Sequence, residues 1–340
     1  MRAALLIFLY FLSTSTLAAK TFGDTKPSRP VATYSIVAID ERTGDIGVAV
    51  QSHWFSVGSI VIWAEAGVGA VATQSFVEPS YGPKGLQAMR KGRSAEKALV
   101  RLLNKDDNAS IRQVAFVDAK ANAAAHTGEN SIPHACDAQG YGFSVQANLM
   151  QKPTVCNAMA AAFEFSKGDL ATRMMDALDA AQAEGGDLRG KQSAAMLIVD
   201  GERHDNPWEG KIIDLRVEDN PEPLKELRRL VELNRAYNLM NSGDAFMAAG
   251  NLAAANNAYD QASALAPNNH EMIFWRAVTL AAAGEEDAAM PLFEQAFAAW
   301  PMWRELIPRL PASVILPDDP ALIARIMAAG IETENVQDEE

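Results

Sequence analysis

The sequence lacks the short motifs that mark the common nucleotide and metal enzymes. It contains no phosphate-binding loop, no dinucleotide fingerprint, no HExxH helix and no G-x-S-x-G elbow. Its two cysteines, Cys136 and Cys156, lie 20 positions apart, so neither has a second cysteine at metal-binding spacing. We therefore expect no cofactor and no resident metal ion.

Basic residues are scarce towards the C-terminal end. The 340-residue chain has a formal net charge of −13, and residues 220–340 carry 18 acidic but only 8 basic side chains. An acidic surface repels phosphate backbones, so this composition argues against a nucleic-acid partner. A chain of 340 residues is longer than a single hydrophobic core usually accommodates, which predicts two domains.

No apolar run is long enough to cross a bilayer as a helix. The apolar stretch at residues 3–12 follows Arg2 and leads into small residues that end at Ala19. This order is typical of a secretory signal peptide. It predicts that residues 1–19 are removed and that the mature protein is periplasmic or secreted, with no stable membrane span. An uncleaved membrane anchor is the alternative.

The predicted compartment leaves the state of the cysteines open. In an oxidising compartment Cys136 and Cys156 can form one disulfide, but spacing alone does not establish the geometry that a disulfide needs. Two unpaired buried thiols fit the sequence equally well.

The C-terminal part of the chain repeats itself at a period of 34 residues. Gly250, Ala255, Tyr259, Ala262 and Pro267 return as Gly284, Ala289, Phe293, Ala296 and Pro301. This period is typical of the tetratricopeptide repeat, in which small residues let two helices approach and an aromatic side chain fills the space between them. We expect a helical repeat domain over residues 221–331 and a protein or peptide partner that it binds. The sequence leaves a homo-oligomer open.

Residues 33–220 alternate between strand and helix patterns. Strands are predicted at residues 33–39, 45–52, 59–64, 67–73, 112–117, 121–126, 142–148, 191–200 and 211–217. Helices are predicted at residues 83–91, 94–104 and 154–184, the last broken at Gly168. Short links between the strands favour antiparallel sheets with helices on the outer faces, an α+β fold. Residues 20–32 are expected to form an extended tail, and residues 332–340 an acidic one.

Several runs in this segment resemble the family called domain of unknown function 1028. They include TYSIVAIDERTGDIGVAVQSHWFSVG at residues 33–58, WAEAGVGAVATQS at residues 63–75, AAHTG at residues 124–128 and GGDLRGKQSAAMLIV at residues 185–199. The resemblance implies an Ntn-hydrolase-like αββα sandwich over residues 33–220, in which two antiparallel sheets lie between layers of helices.

The resemblance also implies where a nucleophile would lie. In Ntn hydrolases a Thr, Ser or Cys at the start of the first strand attacks an amide, and its free α-amine acts as the general base. Thr33 opens the first predicted strand and is the first candidate, with Ser35 as the second. Because 32 residues precede Thr33, this chemistry requires a cut after Ala32, made by the protein itself or by another protease.

Polar residues at other strand ends are supporting candidates. The candidate catalytic residues are His53, Gln74, His126 and Asn148, of which Asn148 or Gln74 would donate to an oxyanion. Arg189 and Gln192 are candidate substrate-binding residues, because the guanidinium fork of an arginine suits a carboxylate. For each of these side chains alone, a structural hydrogen bond at a sheet end is the favoured interpretation, and only their clustering in the fold would indicate a site.

Two functional hypotheses follow from the sequence. The first is an extracytoplasmic Ntn-type amidohydrolase that acts on a small amide substrate through Thr33. The second is a non-catalytic envelope protein, in which the first domain binds a ligand and the repeats dock a protein partner.

Overall fold

The computed structural model describes residues 30–206 and 208–331. The predicted signal peptide, most of the predicted N-terminal tail and the acidic tail lie outside these ranges. Within them, two antiparallel sheets with helices on their outer faces are followed by a helical C-terminal region. The α+β class and the antiparallel arrangement predicted from the sequence are confirmed.

The strands form one larger and one smaller sheet. Their bounds are β1 Thr33–Ile39, β2 Ile46–Ser52, β3 Ile62–Glu65, β4 Gly69–Ser75, β5 Arg112–Asp118, β6 Ala123–Thr127, β7 Cys136–Gly140, β8 Phe143–Ala147, β9 Ser193–Val199 and β10 Lys211–Val217. The described strands pair in the order β10-β9-β2-β1-β8-β7 in one sheet and β3-β4-β5-β6 in the other. β1 therefore lies near the middle of the larger sheet.

Helices connect and cover these strands. Their bounds are α1 Gly58–Val61, α2 Tyr81–Arg90, α3 Ala95–Leu103, α4 Val155–Phe165, α5 Leu170–Ala183, α6 Pro223–Ala248, α7 Leu252–Leu265, α8 His270–Ala282, α9 Glu286–Ala299, α10 Trp303–Leu306 and α11 Pro320–Ala328. Ser94 caps α3 by accepting a hydrogen bond from Lys97 N–H, as its position in the sequence predicts.

The alternation of side chains along β1 shows how the layers pack. Val37 and Ile39 point into an apolar core that residues of β2, β4, β5 and β9 share, so the two sheets face each other. Tyr34, Ile36 and Ala38 point the other way, into a second core beneath α4 and α5. A third core lies between the smaller sheet and helices α2 and α3. Thr33 and Ser35 share the parity of Val37 and therefore face the space between the sheets.

Two local predictions differ from the structure. The sequence predicts a strand over residues 59–64, but Gly58–Val61 form a helical turn and the strand begins at Ile62. A Cβ on Gly58 would lie 2.5 Å from the Cβ of Ala195, so this turn approaches β9 more closely than a side chain allows. Strand β7 is missing from the prediction because its sequence, CDAQG, has no β-branched or aromatic residue.

The two cysteines form a disulfide. Cys136 at the start of β7 is bonded to Cys156 in the first turn of α4, with Cα atoms 6.1 Å apart. This bond ties the edge strand of the larger sheet to the helix layer that covers it. The structure thus pairs Cys136 with Cys156, which the sequence alone did not establish.

The helical region packs against the larger sheet through α6. Arg228 donates to Asp176 and Asp179 of α5, and Arg235 donates to Asp169 at 2.6 Å. Helices α6 and α7 pack together, as do α8 and α9, and chain reversals with positive φ at Gly250 and Gly284 separate the members of each pair. The aromatic residues of the 34-residue repeat, Tyr259 and Phe293, are fully buried between the helices.

The tryptophans of this region have different environments. Trp303 stacks on Phe274, and Trp275 packs edge-on against the same ring, so both belong to the helical core. Trp300 is 51% exposed beside His270, with Met302 59% exposed next to it.

Candidate functional site

The segment that leads into β1 is part of the fold. Val31 pairs with Ser75 at the end of β4: its N–H donates to Ser75 O at 2.6 Å, and Ser75 N–H donates back to Val31 O at 3.1 Å. Val31 and Ala32 are completely buried. Ser75 makes this pairing with a φ of +66°, a left-handed conformation that costs a non-glycine residue free energy. Residues 30–32 of the predicted tail therefore cover the start of β1.

The carbonyl oxygen of Ala32 accepts two side-chain hydrogen bonds. Ser52 Oγ donates to it at 2.5 Å and Arg189 Nη2 at 2.7 Å. Ser52 is in position because it is the register partner of Thr33 in the β1–β2 pair. One neutral and one charged donor thus converge on the carbonyl of the peptide bond between Ala32 and Thr33.

A buried carboxylate orients Arg189. Asp187, whose side chain is inaccessible to solvent, accepts Arg189 Nε at 3.1 Å and Nη2 at 2.7 Å, a two-pronged ion pair. Its Oδ2 also accepts the backbone N–H of His53 at 3.1 Å. The Arg189 side chain is 30% exposed, so the guanidinium lies between Ala32 on its inner side and solvent on its outer side.

The two candidate nucleophiles lie in different surroundings. Thr33 Oγ1 donates to Val31 O at 2.8 Å, so this hydroxyl lies beside the same short segment as the Ala32 carbonyl. Ser35 Oγ donates to Gln74 Oε1 at 2.7 Å, deeper between the sheets. Both residues are fully buried while residues 30–32 are in place.

Buried amide side chains connect the two sheets behind Thr33. Gln74 Nε2 donates to Gln113 Oε1 at 2.8 Å, and Asn148 Nδ2 donates to the same oxygen at 2.9 Å. Gln113 in turn donates to Thr127 Oγ1 and to Ala147 O, each at 2.9 Å. Gln113 was not among the sequence candidates, although its alternation with Ala115 and Val117 places it on the inner face of β5.

The same amides reach the backbone carbonyl of Thr33. Gln74 Nε2 lies 3.2 Å from Thr33 O, and the backbone N–H of Asn148 donates to it at 3.1 Å. Asn148 Oδ1 and Ser75 Oγ are buried and lack a hydrogen-bond partner among the described residues. Buried polar atoms without a hydrogen-bond partner are costly in a protein interior.

Three of the candidate residues line one surface cleft. His53, Arg189 and Gln192 form its walls with Trp54 and Phe55, around a volume of about 550 Å³. Because Arg189 also contacts Ala32 O, this cleft adjoins the Ala32–Thr33 peptide bond. Its aromatic and polar lining, with a single cation, suits a small organic ligand.

His126 lies away from this cleft. It shares the parity of Ala124, which faces the helix side of the smaller sheet, and its Nε2 lies 2.8 Å from Ala109 O. Within residues 30–206 and 208–331, no cluster of three His, Cys, Asp or Glu side chains could hold a metal ion. The structure thus brings together Thr33, Arg189, Gln192 and His53 at one place, but not His126.

The phenol of Tyr34 lies on the opposite face of β1 from Thr33. Burial raises its pKa well above the ordinary value, and the nearby carboxylates of Asp179 and Asp187 raise it further. Tyr34 Oη donates to Gln182 Oε1 at 3.0 Å, so the phenol stays neutral and fixes α5 against β1. Its role is in positioning the strand that carries Thr33.

Comparison with known protein families identifies the chain. The family of unknown function DUF1028 matches residues 33–227, more than half of the sequence, and the match begins at Thr33. The chain belongs to the DUF1028 family. The family description assigns no activity, and none of the curated proteins matches the chain.

A solved structure supports the same assignment. The crystal structure of the DUF1028 protein SPO2555 from Silicibacter pomeroyi is 29% identical to this chain. The likeness covers 59% of this chain and 88% of that one, with a TM-score of 0.52. This DUF1028 chain therefore shares the fold of that protein over the part that the likeness covers.

Proposed function

We propose that the protein is an exported amide-bond hydrolase that uses Thr33 as its nucleophile once the Ala32–Thr33 peptide bond has been cut. The observation that carries the proposal is the pair of donors, Ser52 and Arg189, on the Ala32 carbonyl oxygen. Two such donors stabilise the negative charge that develops on a carbonyl oxygen when a nucleophile attacks its carbon. The Thr33 hydroxyl donates to the carbonyl oxygen of Val31 and is the nucleophile next to the Ala32 carbonyl.

The cut requires only groups of this chain and one water molecule. Thr33 Oγ1 attacks the carbonyl carbon of Ala32, and its proton passes to the departing nitrogen of Thr33. The C–N bond breaks, leaving an ester between Ala32 and the threonine oxygen. Water then hydrolyses this ester to a carboxylate on Ala32 and a free hydroxyl and α-amine on Thr33. Ser52 and Arg189 hold the oxyanion in both steps.

After the cut, the same donors serve a substrate. Departure of residues 30–32 uncovers Thr33 and leaves Ser52 and Arg189 without their carbonyl partner. A small amide in the adjoining cleft places its carbonyl oxygen or a carboxylate on these donors, with His53 and Gln192 beside it. The Thr33 α-amine, with an ordinary pKa of about 8, accepts the hydroxyl proton as general base.

The arrangement of layers supports an Ntn-hydrolase-like sandwich. β1, which carries Thr33 at its first position, lies between β2 and β8 inside the larger sheet. Helices lie outside both sheets, and the sheets share an apolar core. A nucleophile at the start of such a strand is held by neighbours on both sides, which gives it the fixed geometry that catalysis needs.

The disulfide supports an extracytoplasmic location. Disulfides persist in oxidising compartments, and Cys136–Cys156 joins two elements of the first domain. The predicted signal peptide lies outside the described residues, and no described helix is long and apolar enough to span a bilayer. From the disulfide and the predicted signal peptide, we propose that the mature protein is periplasmic or secreted.

Cleavage in the purified precursor tests the proposal. The full chain is produced, and its mass is followed in buffer without added protease. Wild-type protein is expected to lose all residues up to Ala32, Thr33→Ala to stay intact, and Thr33→Ser to be cut. Ser35→Ala is the matched control and should still be cut. Cutting of Thr33→Ala at the same bond would contradict self-cleavage, because no hydroxyl remains there.

A second function rests on the helical region. We propose that α6 with α7 and α8 with α9 form tetratricopeptide-type pairs that bind a protein or peptide segment, with or without a catalytic first domain. The exposed Trp300 and Met302, at the end of the second repeat, favour this binding role. Trp300→Ala in the full chain should lose a partner captured by cross-linking, while Phe165→Ala, at another exposed aromatic residue on α4, should retain it. Equal capture by both variants would contradict this second function.

A further inference from the structure

A second cleft lies on the outside of the smaller sheet. It is formed by α2, α3 and the loop that follows α3, and it encloses about 580 Å³, a size typical of small-molecule sites. It shares no lining residue with the cleft beside Thr33. The proposed hydrolase has no use for it.

The lining of this basic cleft is strongly positive. Six of its side chains are basic and only two, Glu78 and Asp106, are acidic; the basic residues are Lys84, Lys91, Arg93, Arg101, Lys105 and Arg112. This excess contrasts with the formal net charge of −13 of the whole chain. Like charges held close together destabilise a folded protein unless counter-charges neutralise them.

The acidic residue at the bottom of the cleft is already neutralised. Asp106 accepts Arg112 Nε at 2.8 Å and the hydroxyl of Tyr81 at 3.2 Å. Arg112 is almost buried and also donates to Phe76 O. Asp106 therefore does not compensate the cations at the rim.

Five exposed cations remain around the opening. Lys84, Lys91, Arg93, Arg101 and Lys105 are exposed, and within the described part of the chain none of the five forms an ion pair. Lys84 Nζ donates to a neutral oxygen, Ser80 Oγ, at 3.1 Å. Some exposed arginines elsewhere on the molecule are paired, as Arg325 is with Glu286 and Arg229 with Glu226. The unpaired charges converge on one concave space.

We propose that the basic cleft binds a small anion that carries two or more phosphate groups. Arginine forks bind tetrahedral oxyanions through paired N–H donors, and lysines add point charges, so this mixture suits several phosphates better than one carboxylate. Ser80, Gln87 and Asn108 supply neutral polar groups to the same lining, where they can hydrogen-bond the remaining oxygens.

Titration of the full chain with inorganic tripolyphosphate tests the proposal. Calorimetry at low ionic strength is expected to show saturable binding that is tighter than that of inorganic phosphate and that weakens as salt is added. Arg101→Glu should weaken the affinity at least about tenfold, because loss of one charged hydrogen bond has at least this effect. Lys97→Glu is the matched control: it makes the same change in charge on the same helix α3, at an exposed position outside the cleft.

The outcomes separate the proposal from a general effect of charge. Binding that Arg101→Glu weakens and that Lys97→Glu changes less than about twofold supports the basic cleft. Equal loss in both variants, or no binding of tripolyphosphate by the wild-type protein, would overturn the proposal. Thermal unfolding of both variants shows whether they are folded, and Lys91→Glu repeats the test at a second lining residue, directly after α2.

Discussion

Arg189 Nη2 lies 2.7 Å from the carbonyl oxygen of Ala32, although the two residues are 157 positions apart in the sequence. The arginine is held there by Asp187, and the carbonyl belongs to the peptide bond that must break if Thr33 is to become a terminus. A charged donor on that carbonyl favours attack on its carbon. This contact links the predicted substrate-binding residue to the predicted nucleophile.

Replacing Ser52 tests the second donor on the same carbonyl. Ser52→Ala removes the hydroxyl 2.5 Å from Ala32 O and is expected to slow cleavage of the precursor by about 10²–10³-fold, the usual effect of losing one oxyanion donor. The measurement is the rate of mass loss in the purified precursor. Ser59→Ala removes an exposed hydroxyl from α1 and should leave the rate unchanged. An unchanged cleavage rate in Ser52→Ala would show that this hydroxyl does not stabilise the oxyanion.

Removing Arg189 is expected to affect stability as well as cleavage. Arg189→Ala leaves the buried carboxylate of Asp187 without its ion pair, which costs about 3–5 kcal/mol of unfolding free energy. Urea unfolding measures this loss. Arg229→Ala, which breaks an exposed pair with Glu226, should cost less than about 1 kcal/mol. Similar losses of unfolding free energy in both variants would mean that the ion pair with Arg189 does not stabilise the buried carboxylate of Asp187.

Acid pH should weaken the turn between β1 and β2. A side-chain hydrogen bond from Arg42 holds the pKa of Asp40 below its ordinary value, outweighing the opposing effect of burial. A carboxyl group with a lowered folded-state pKa contributes stability above its unfolded pKa, about 4, and this contribution is lost as the pH falls through the folded-state pKa.

The variant Asp40→Asn measures this contribution. The difference in unfolding free energy between wild type and variant should be constant above about pH 5 and shrink steadily below about pH 4. Denaturant unfolding at a series of pH values provides the comparison. Glu41→Gln, at an exposed position of the same turn, is the control for nonspecific acid effects. A difference that stayed the same at the lowest pH would show that the Asp40 carboxylate does not stabilise the turn.

Reduction of the disulfide should destabilise the first domain. Cys136–Cys156 closes a loop over a sequence separation of 20, for which the chain-entropy model gives about 3 kcal/mol. Reductant is therefore expected to lower the unfolding midpoint of the wild type. The double variant Cys136→Ala/Cys156→Ala should start at the lower midpoint and not respond to reductant. A response of the same size in the double variant would assign the effect to something other than this bond.

Local sequence patterns predicted those elements whose residue preferences match the structure that they adopt. β10 matches the predicted residues 211–217, and the predicted break of the helical stretch at Gly168 falls between α4 and α5, where Gly168 has a φ of +122°. Thr33 was predicted to open the first strand, and it does. These features depend on β-branched runs and glycine conformations that are visible in the sequence.

Other features depend on contacts between distant residues. β7 becomes a strand because β8 pairs with it and the disulfide holds it, not because CDAQG favours a strand. Gln113 joins the site through its contacts with Gln74 and Asn148, which no local pattern shows. His126 and Thr127 are adjacent in the sequence at the end of β6. Thr127 accepts a hydrogen bond from Gln113, whereas His126 points away from the site. The sequence did not predict the basic cleft, because its cations are spread over residues 84–112.

The N-terminus of the protein isolated from the cells that make it shows whether the Ala32–Thr33 peptide bond is cut. Mass spectrometry of the intact protein, combined with N-terminal sequencing, gives the first residue of the mature chain. We expect the mature chain to start at Thr33. A fully functional chain that still begins near residue 20, with Val31 and Ala32 in place over the start of β1, would contradict it.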